Sequence, residues 1–307
     1  MTDANTRIGW VGLGKMGTPM AANLLAEGYS LRVFNRSPEK AKLLVDKGAR
    51  FVPSLADLAA ECDVVLSTVA DDRALLDVTT SLNGLFHGAQ AGLIYIDMST
   101  VSPHTSARLA SEAAACGILY LRAPVSGSVS AASAATLTIL CSGPREAFDR
   151  CAGLLKHLAT KLYYLGEAEQ ARYLKLSINM MLGITAAMLG EALALGERGG
   201  LEWRQMVEVV NNSAVASPLI GYKARMLSTR DFAPMFTMSQ LAKDFDLALD
   251  AGRMGNIPMP LTALVRQFVS AMIASGRGEL DFFAYVTLLE ELAGLSGSTM
   301  ATADEIA

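Results

Sequence analysis

The chain opens with short apolar runs separated by amphipathic stretches. Residues 7–11 (RIGWV) read as a buried strand, 19–27 as a helix, and 30–34 (SLRVF) as a second strand. The alternation continues with a helical pattern over 38–47, a short strand at 50–52, a helix over 55–61 and a buried strand at 63–69 (DVVLSTV). Further helices are predicted at 73–79, 103–116 and 145–158, with Pro103 suited to a first turn. Further strands are predicted at 93–98 (LIYIDM), 119–121, 135–141 and 162–165. Strands alternating with helices imply a parallel or mixed sheet covered on both faces.

The pattern changes near residue 168. Long 3.6-residue apolar stripes replace the β-branched runs, and a single helix is predicted over 168–199, far above the mean of ~11–12 residues. Helices at 204–213, 217–228, 238–254, 260–275 and 282–294 follow. The small, polar stretch 296–307 reads as a mobile tail.

Between the first strand and helix stands Gly12-Leu13-Gly14-Lys15-Met16-Gly17, a G-x-G-x-x-G run. Gly12 permits a tight turn, Gly14 lets the backbone approach a pyrophosphate, and Gly17 lets the helix pack closely on the strand. The helix start adds free N–H groups and a positive dipole end. In this strand–loop–helix–strand context the run predicts a dinucleotide-binding domain. The fold expected is an α/β Rossmann domain over 1–166 followed by an all-α domain over 167–307, linked by the long helix.

The second strand ends in Asn35-Arg36-Ser37, where an NAD site usually carries an acid for the ribose hydroxyls. A neutral Asn35, a planar cation at Arg36, a hydroxyl at Ser37 and Lys40 nearby favour the 2′-phosphate of NADP(H), with NAD(H) as the alternative. The competing reading makes Arg36 and Lys40 ordinary solvated charges at a helix start.

Composition narrows the function. A net charge of −4 argues against nucleic-acid binding. The four cysteines (Cys62, Cys116, Cys141, Cys151) lack C-x-x-C spacing and read as small buried residues in a reducing, cytoplasmic setting. None of the three histidines is paired at ligand spacing, so no metal is expected. The N-terminus runs into the first strand without a signal-peptide pattern. The longest apolar helical stretch, 176–190, falls short of the ~20 residues of a membrane span, so it reads as a buried helix with Met180, Met181 and Met188 as core filler.

Lys175 and Asn179 lie four apart at the start of that stretch, on one helical face. A lysine entering apolar surroundings loses solvation and its pKa falls, which suits an acid/base group. The alternative is a snorkelling lysine with Asn179 satisfying the backbone.

Taken together, Ile8–Gly17 with the following Met20-Ala21-Ala22-Asn23-Leu24, Asp97-Met98-Ser99-Thr100, Ala123-Pro124-Val125-Ser126-Gly127, Lys175 with Asn179, Glu191-Ala192 and Lys243-Asp244 resemble the β-hydroxyacid dehydrogenases over essentially the whole chain. The resemblance implies an NADP-dependent oxidoreductase interconverting a small hydroxy carboxylate and its semialdehyde or keto form. It makes Lys175 the catalytic acid/base, with Asn179, Ser126, Gly127 and the Ser128 backbone on the substrate. It puts Val69 and Thr100 near the nicotinamide, Lys243 towards the cofactor or substrate, and Asp244 in a structural role. A homodimer or homotetramer built through the helical domain is expected.

Three departures from the family pattern bear on the substrate. Arg122 stands where an acid is common and reads as a surface salt-bridge partner in preference to a residue that points at the substrate and demands an extra negative charge there. Ser128 stands where a second glycine is common and would narrow or re-polarise the pocket, and Ile178 stands where a second Asn is common. Imine reduction on the same scaffold and a non-catalytic dinucleotide-binding role are the alternatives, and Lys175 counts against both.

Overall fold

The computed structural model describes residues 6–295, so the stretch 296–307 lies outside the described residues. The chain divides into two compact units, Met1–Leu176 and Ser177–Ala307.

In the first unit β1 (Ile8–Val11), β2 (Leu31–Phe34), β3 (Arg50–Phe51), β4 (Val64–Ser67), β5 (Ile94–Asp97) and β6 (Leu119–Arg122) form one parallel sheet in the order β3-β2-β1-β4-β5-β6. The two-residue period sorts its side chains. Trp10, Leu66, Ile96 and Leu121 enter one core, while Val11, Val65, Tyr95 and Tyr120 enter the other. Each fully buried aliphatic contributes about 1.5–3 kcal/mol to that double burial. β1 pairs with both β2 and β4, so the strand order reverses beside β1 and opens a crevice at the strands' carboxyl ends.

The remaining strands do not extend this sheet, as a single-sheet reading would have it. β7 (Val125–Ser126), β8 (Leu137–Cys141) and β9 (Ala159–Tyr164) form a second sheet, with β7 antiparallel to β8 and β8 parallel to β9. Pro124 has no N–H to continue the β6 ladder, and its carbonyl instead accepts from Leu140 N–H at 3.0 Å. The two-residue β7 and the short helix Val129–Ser133 are too brief to leave a periodic signal.

The second unit is helical: the long helix Gln170–Arg198 runs into it, followed by Trp203–Asn211, Pro218–Thr229, Met238–Met254, Pro260–Met272 and Tyr285–Leu292. Its core gathers Ala186, Leu189, Leu193, Phe245, Phe283 and Val286. A Cβ at Gly183 would stand 2.5 Å from the Phe245 ring, so the long helix can lie there only through glycine.

Three expectations change here. The long helix is buried on one face only, because Met181, Met188 and Leu195 are exposed, so two of the three methionines are not core filler. Its 29 residues are long and apolar enough to cross a membrane, contrary to the shorter stretch read from sequence, although its buried face packs as a core helix does. Cys116 is exposed, while Cys62, Cys141 and Cys151 are buried.

Candidate active site

The glycine loop separates three roles. Gly12 turns with φ +91°, and a Cβ there would stand 2.1 Å from the Thr68 carbonyl oxygen. A Cβ at Gly17 would stand 2.1 Å from the Gly12 carbonyl oxygen. Those two glycines are demanded by the protein's own packing. At Gly14 a Cβ meets nothing within 4 Å, so its glycine serves an approach from outside the chain. No side chain caps the helix Gly17–Ala26, which leaves its positive end for an anion. Leu13 is buried, Met16 half-buried and Lys15 exposed. The loop fits a dinucleotide pyrophosphate.

Asn35 ties this loop to the end of β2. Its Oδ1 accepts from Leu13 N–H at 2.9 Å, and its Nδ2 donates to the Ser37 carbonyl at 2.9 Å. Arg36 and Lys40 are exposed, and Ser37 is half-buried.

The loops after β4 and β5 are joined by a buried polar network. Val69 N–H donates to Ser99 Oγ at 2.8 Å, and Ser99 Oγ donates to Asp97 Oδ1 at 2.6 Å. Ser67 Oγ also donates to Asp97 Oδ1, at 2.7 Å. The other Asp97 oxygen receives Arg172 Nη2 at 2.5 Å. Arg172 also donates to the Ser99 carbonyl at 2.6 Å, Tyr120 Oη at 2.9 Å and Ser106 Oγ at 3.3 Å. Arg172 is 1% exposed and Asp97 0%. Burial opposes the Arg172 charge, but the Tyr120 hydroxyl and the Asp97 carboxylate more than offset it, and its pKa stands above the ordinary value. Burial pushes the Tyr95 and Tyr120 hydroxyls up as well, so both stay protonated. Thr100, next in the loop, is half-buried.

Ser126 closes β7, and Gly127 follows with φ +143°, where a Cβ would stand 2.7 Å from Leu137. Ser128 caps the next helix, its Oγ accepting from Ala131 N–H at 3.2 Å and lying 2.6 Å from Ser130 Oγ. Its side chain is thus engaged in the local turn. Arg122 is no surface residue: it is 4% exposed, pairs with Glu169 and stacks over the Tyr120 ring. The charge reversal at this position is answered by a local acid.

Lys175 is half-buried, one turn after Arg172. In the helical unit, buried Asn179 donates its amide to Asp244 Oδ2, and Lys243 Nζ lies 3.1 Å from Asp244 Oδ1. Lys243 therefore meets its own helix neighbour, and Asp244 holds both groups. Among the described residues no group of three His, Cys, Asp or Glu side chains gathers as a metal site.

Residues 7–166 match the family described as the NAD-binding domain of 6-phosphogluconate dehydrogenase. Residues 170–289 match the NAD-binding family of NADP-dependent 3-hydroxyisobutyrate dehydrogenase. The chain belongs to the β-hydroxyacid dehydrogenase family. It is 33% identical to 2-(hydroxymethyl)glutarate dehydrogenase of Eubacterium barkeri, covering 96% of this chain and 99% of that one. It is 31% identical to the chloroplastic glyoxylate/succinic semialdehyde reductase 2 of Arabidopsis thaliana, covering 92% and 79%. A structure of Mycobacterium tuberculosis 3-hydroxyisobutyrate dehydrogenase with L-serine superposes with TM-score 0.85 at 28% identity, covering 92% and 99%. Imine reductase structures fit less well, with TM-score 0.59 for one from Pseudomonas sp..

As a β-hydroxyacid dehydrogenase the protein is an NAD(P)-dependent oxidoreductase of hydroxy acids. The structure brings Gly12–Gly17, Asn35, Val69 and Ser99 together through hydrogen bonds and close backbone contact within one unit. Sequence reasoning missed Arg172. The available signal was its place on the buried stripe Arg172, Leu176, Asn179, Gly183 and Ala186, where a charge requires a buried partner.

Proposed function

We propose that this β-hydroxyacid dehydrogenase prefers NADP(H) and interconverts a small hydroxy carboxylate with its semialdehyde, using Lys175 as acid/base. The carrying observation is the half-buried Lys175, one turn from a guanidinium that grips the Ser99 carbonyl beside the strands' carboxyl ends. The glycine loop Gly12–Gly17 would hold the dinucleotide, whose reduced nicotinamide would supply the hydride for the carbonyl carbon. The Lys175 ammonium gives its proton to the carbonyl oxygen, so hydride and proton together complete the alcohol. Oxidation runs the same proton in reverse.

Ser126 Oγ and the N–H groups of Gly127 and Ser128 would take the substrate carboxylate, and Asn179 would orient the hydroxyl. Val69 and Thr100 would border the nicotinamide, with Lys243 towards the cofactor. Arg36, with Ser37 beside it, would take the 2′-phosphate in place of the absent acid. The compounds named for the relatives each pair a reacting carbon–oxygen group with a nearby carboxylate. The exposed Met181, Met188 and Leu195, seven residues apart, suit a homodimer or homotetramer interface. The four cysteines, all free thiols, suit a reducing, cytoplasmic setting.

The test is turnover of glyoxylate, succinic semialdehyde, tartronate semialdehyde and methylmalonate semialdehyde with NADPH and NADH. Lys175→Ala is expected to lower kcat by about 10²–10⁴-fold, the range of general acid–base catalysis. Arg36→Ala is expected to raise the KM for NADPH about tenfold while leaving that for NADH within about twofold. Retained turnover in Lys175→Ala, or equal effects of Arg36→Ala on both cofactors, overturns the respective assignment.

A further inference from the structure

We propose that Arg172 is the positioning residue of the catalytic turn: its guanidinium, locked at the carboxyl end of β5 and against Tyr120 of β6, sets the depth and rotation of the helix segment carrying Lys175. This rests on the reading of Lys175 as the acid/base.

The argument begins with cost. A buried guanidinium loses several kcal/mol of hydration, and an apolar side chain would fill the same space without that loss. The charge is kept where its planar fork meets groups from four places at once. Asp97 closes β5, the Ser99 carbonyl lies in the following loop, Tyr120 stands on β6, and Ser106 stands on the helix Pro103–Ala115. A lysine head, a point donor, cannot reproduce this fork.

The same network reaches the loop after β4. Asp97 Oδ1 takes Ser99 Oγ, and Ser99 Oγ takes Val69 N–H. The two loops that border the nicotinamide in the proposed reading, and the helix that carries the proton donor, are thus held by one carboxylate–guanidinium pair. Lys175 follows Arg172 by three residues, about 4.5 Å along the axis and on a neighbouring side of the helix. A shift of the Arg172 backbone therefore passes directly to Lys175. A misplacement of about 1 Å at a reacting group can cost about 10²-fold.

Neighbouring bonds seat this turn without doing the same job. Ala171 N–H reaches Ser142 Oγ at 3.2 Å, and the Arg122–Glu169 pair secures the residue just before the helix. Neither supplies the fork that Asp97 and the Ser99 carbonyl receive from Arg172.

The test uses the full chain and compares wild type, Lys175→Ala, Arg172→Lys and Tyr120→Phe. Measured for each are kcat, KM, NADPH affinity by fluorescence, the pH profile of aldehyde reduction and the urea midpoint. Arg172→Lys keeps the charge for Asp97 but loses the fork. Its kcat is expected to fall about 10–100-fold, with KM and NADPH affinity within about twofold. The alkaline limb of the profile is expected to move, because Lys175 sits in altered surroundings. Tyr120→Phe removes one hydroxyl from the fork without loss of volume and is expected to lower kcat about two- to fivefold.

Wild-type kcat and pH profile in Arg172→Lys, or a kcat loss matched by loss of NADPH affinity, would make the residue structural and overturn the proposal alone. If Arg172→Lys does not fold, an unchanged kcat in Tyr120→Phe overturns the proposal and the graded loss supports it. If Lys175→Ala keeps its activity, or the wild type reduces none of the aldehydes, the acid/base reading falls and the proposal falls with it.

Discussion

Both units bury a complete ion pair, and the two pairs serve different ends. In the dinucleotide unit, Arg172 and Asp97 sit beneath the loops at the strand ends and connect pieces that carry proposed chemistry. In the helical unit, Lys223 and Asp281 are each 0% exposed and 2.7 Å apart. Aromatic rings of Tyr222, Phe282 and Phe283 lie about the lysine head. Asp281 also accepts from the N–H groups of Met235, Phe236 and Phe283, so this pair pins an irregular segment to a helix start. Burial lowers the Lys223 pKa, and the Asp281 carboxylate acts against that. Equal burial therefore does not mean equal purpose; what matters is which backbone each pair holds.

The sharpest way to break this contrast is Lys223→Met, which leaves Asp281 charged and unpaired. A loss of about 3–5 kcal/mol in urea unfolding is expected, with kcat of the folded fraction unchanged. A kcat loss without a stability loss would erase the distinction. Arg122→Met comes next. It strands the carboxylate of Glu169, whose side chain is 11% exposed, and is expected to cost about 1–3 kcal/mol by the same assay. A loss as large as that of Lys223→Met would mean that residual exposure does not matter.

The smallest effect belongs to Glu197. Desolvation and the neighbouring Glu290 raise its pKa above the ordinary carboxyl value. A carboxyl raised in the folded state contributes stability that is full below its unfolded pKa and lost as pH rises through the folded pKa. Glu197→Gln should therefore raise the Tm at pH 7 by roughly 1–2 °C and have little effect near pH 4. An unchanged or lowered Tm at pH 7 would contradict the repulsion.

Much of the fold was legible because its period is local. The helix Met238–Met254 follows directly from its apolar stripe, and β1, β4 and β5 follow from continuous apolar runs. The glycine loop was legible because two of its glycines answer steric demands between near neighbours, or between adjacent strands. The second sheet was not, since β7 has two residues and pairs with β8 across an intervening short helix. Arg172 was hidden for another reason. Its partner Asp97 is 75 residues away, and no short pattern links a helix start to a strand end at that distance. Arg122 does make the salt bridge read from the sequence, but its acid Glu169 is 47 residues away, so the burial of the pair was hidden in the same way.

Asn35 carries a consequence for cofactor engineering. Its amide accepts from Leu13 N–H with one atom and donates to the Ser37 carbonyl with the other. A carboxylate grafted at 35 would keep the first bond but turn an anion towards the Ser37 oxygen. A redesign that seeks a different dinucleotide by Asn35→Asp alone would therefore strain the loop it means to retune, and must change the path of the chain at 37 in the same step.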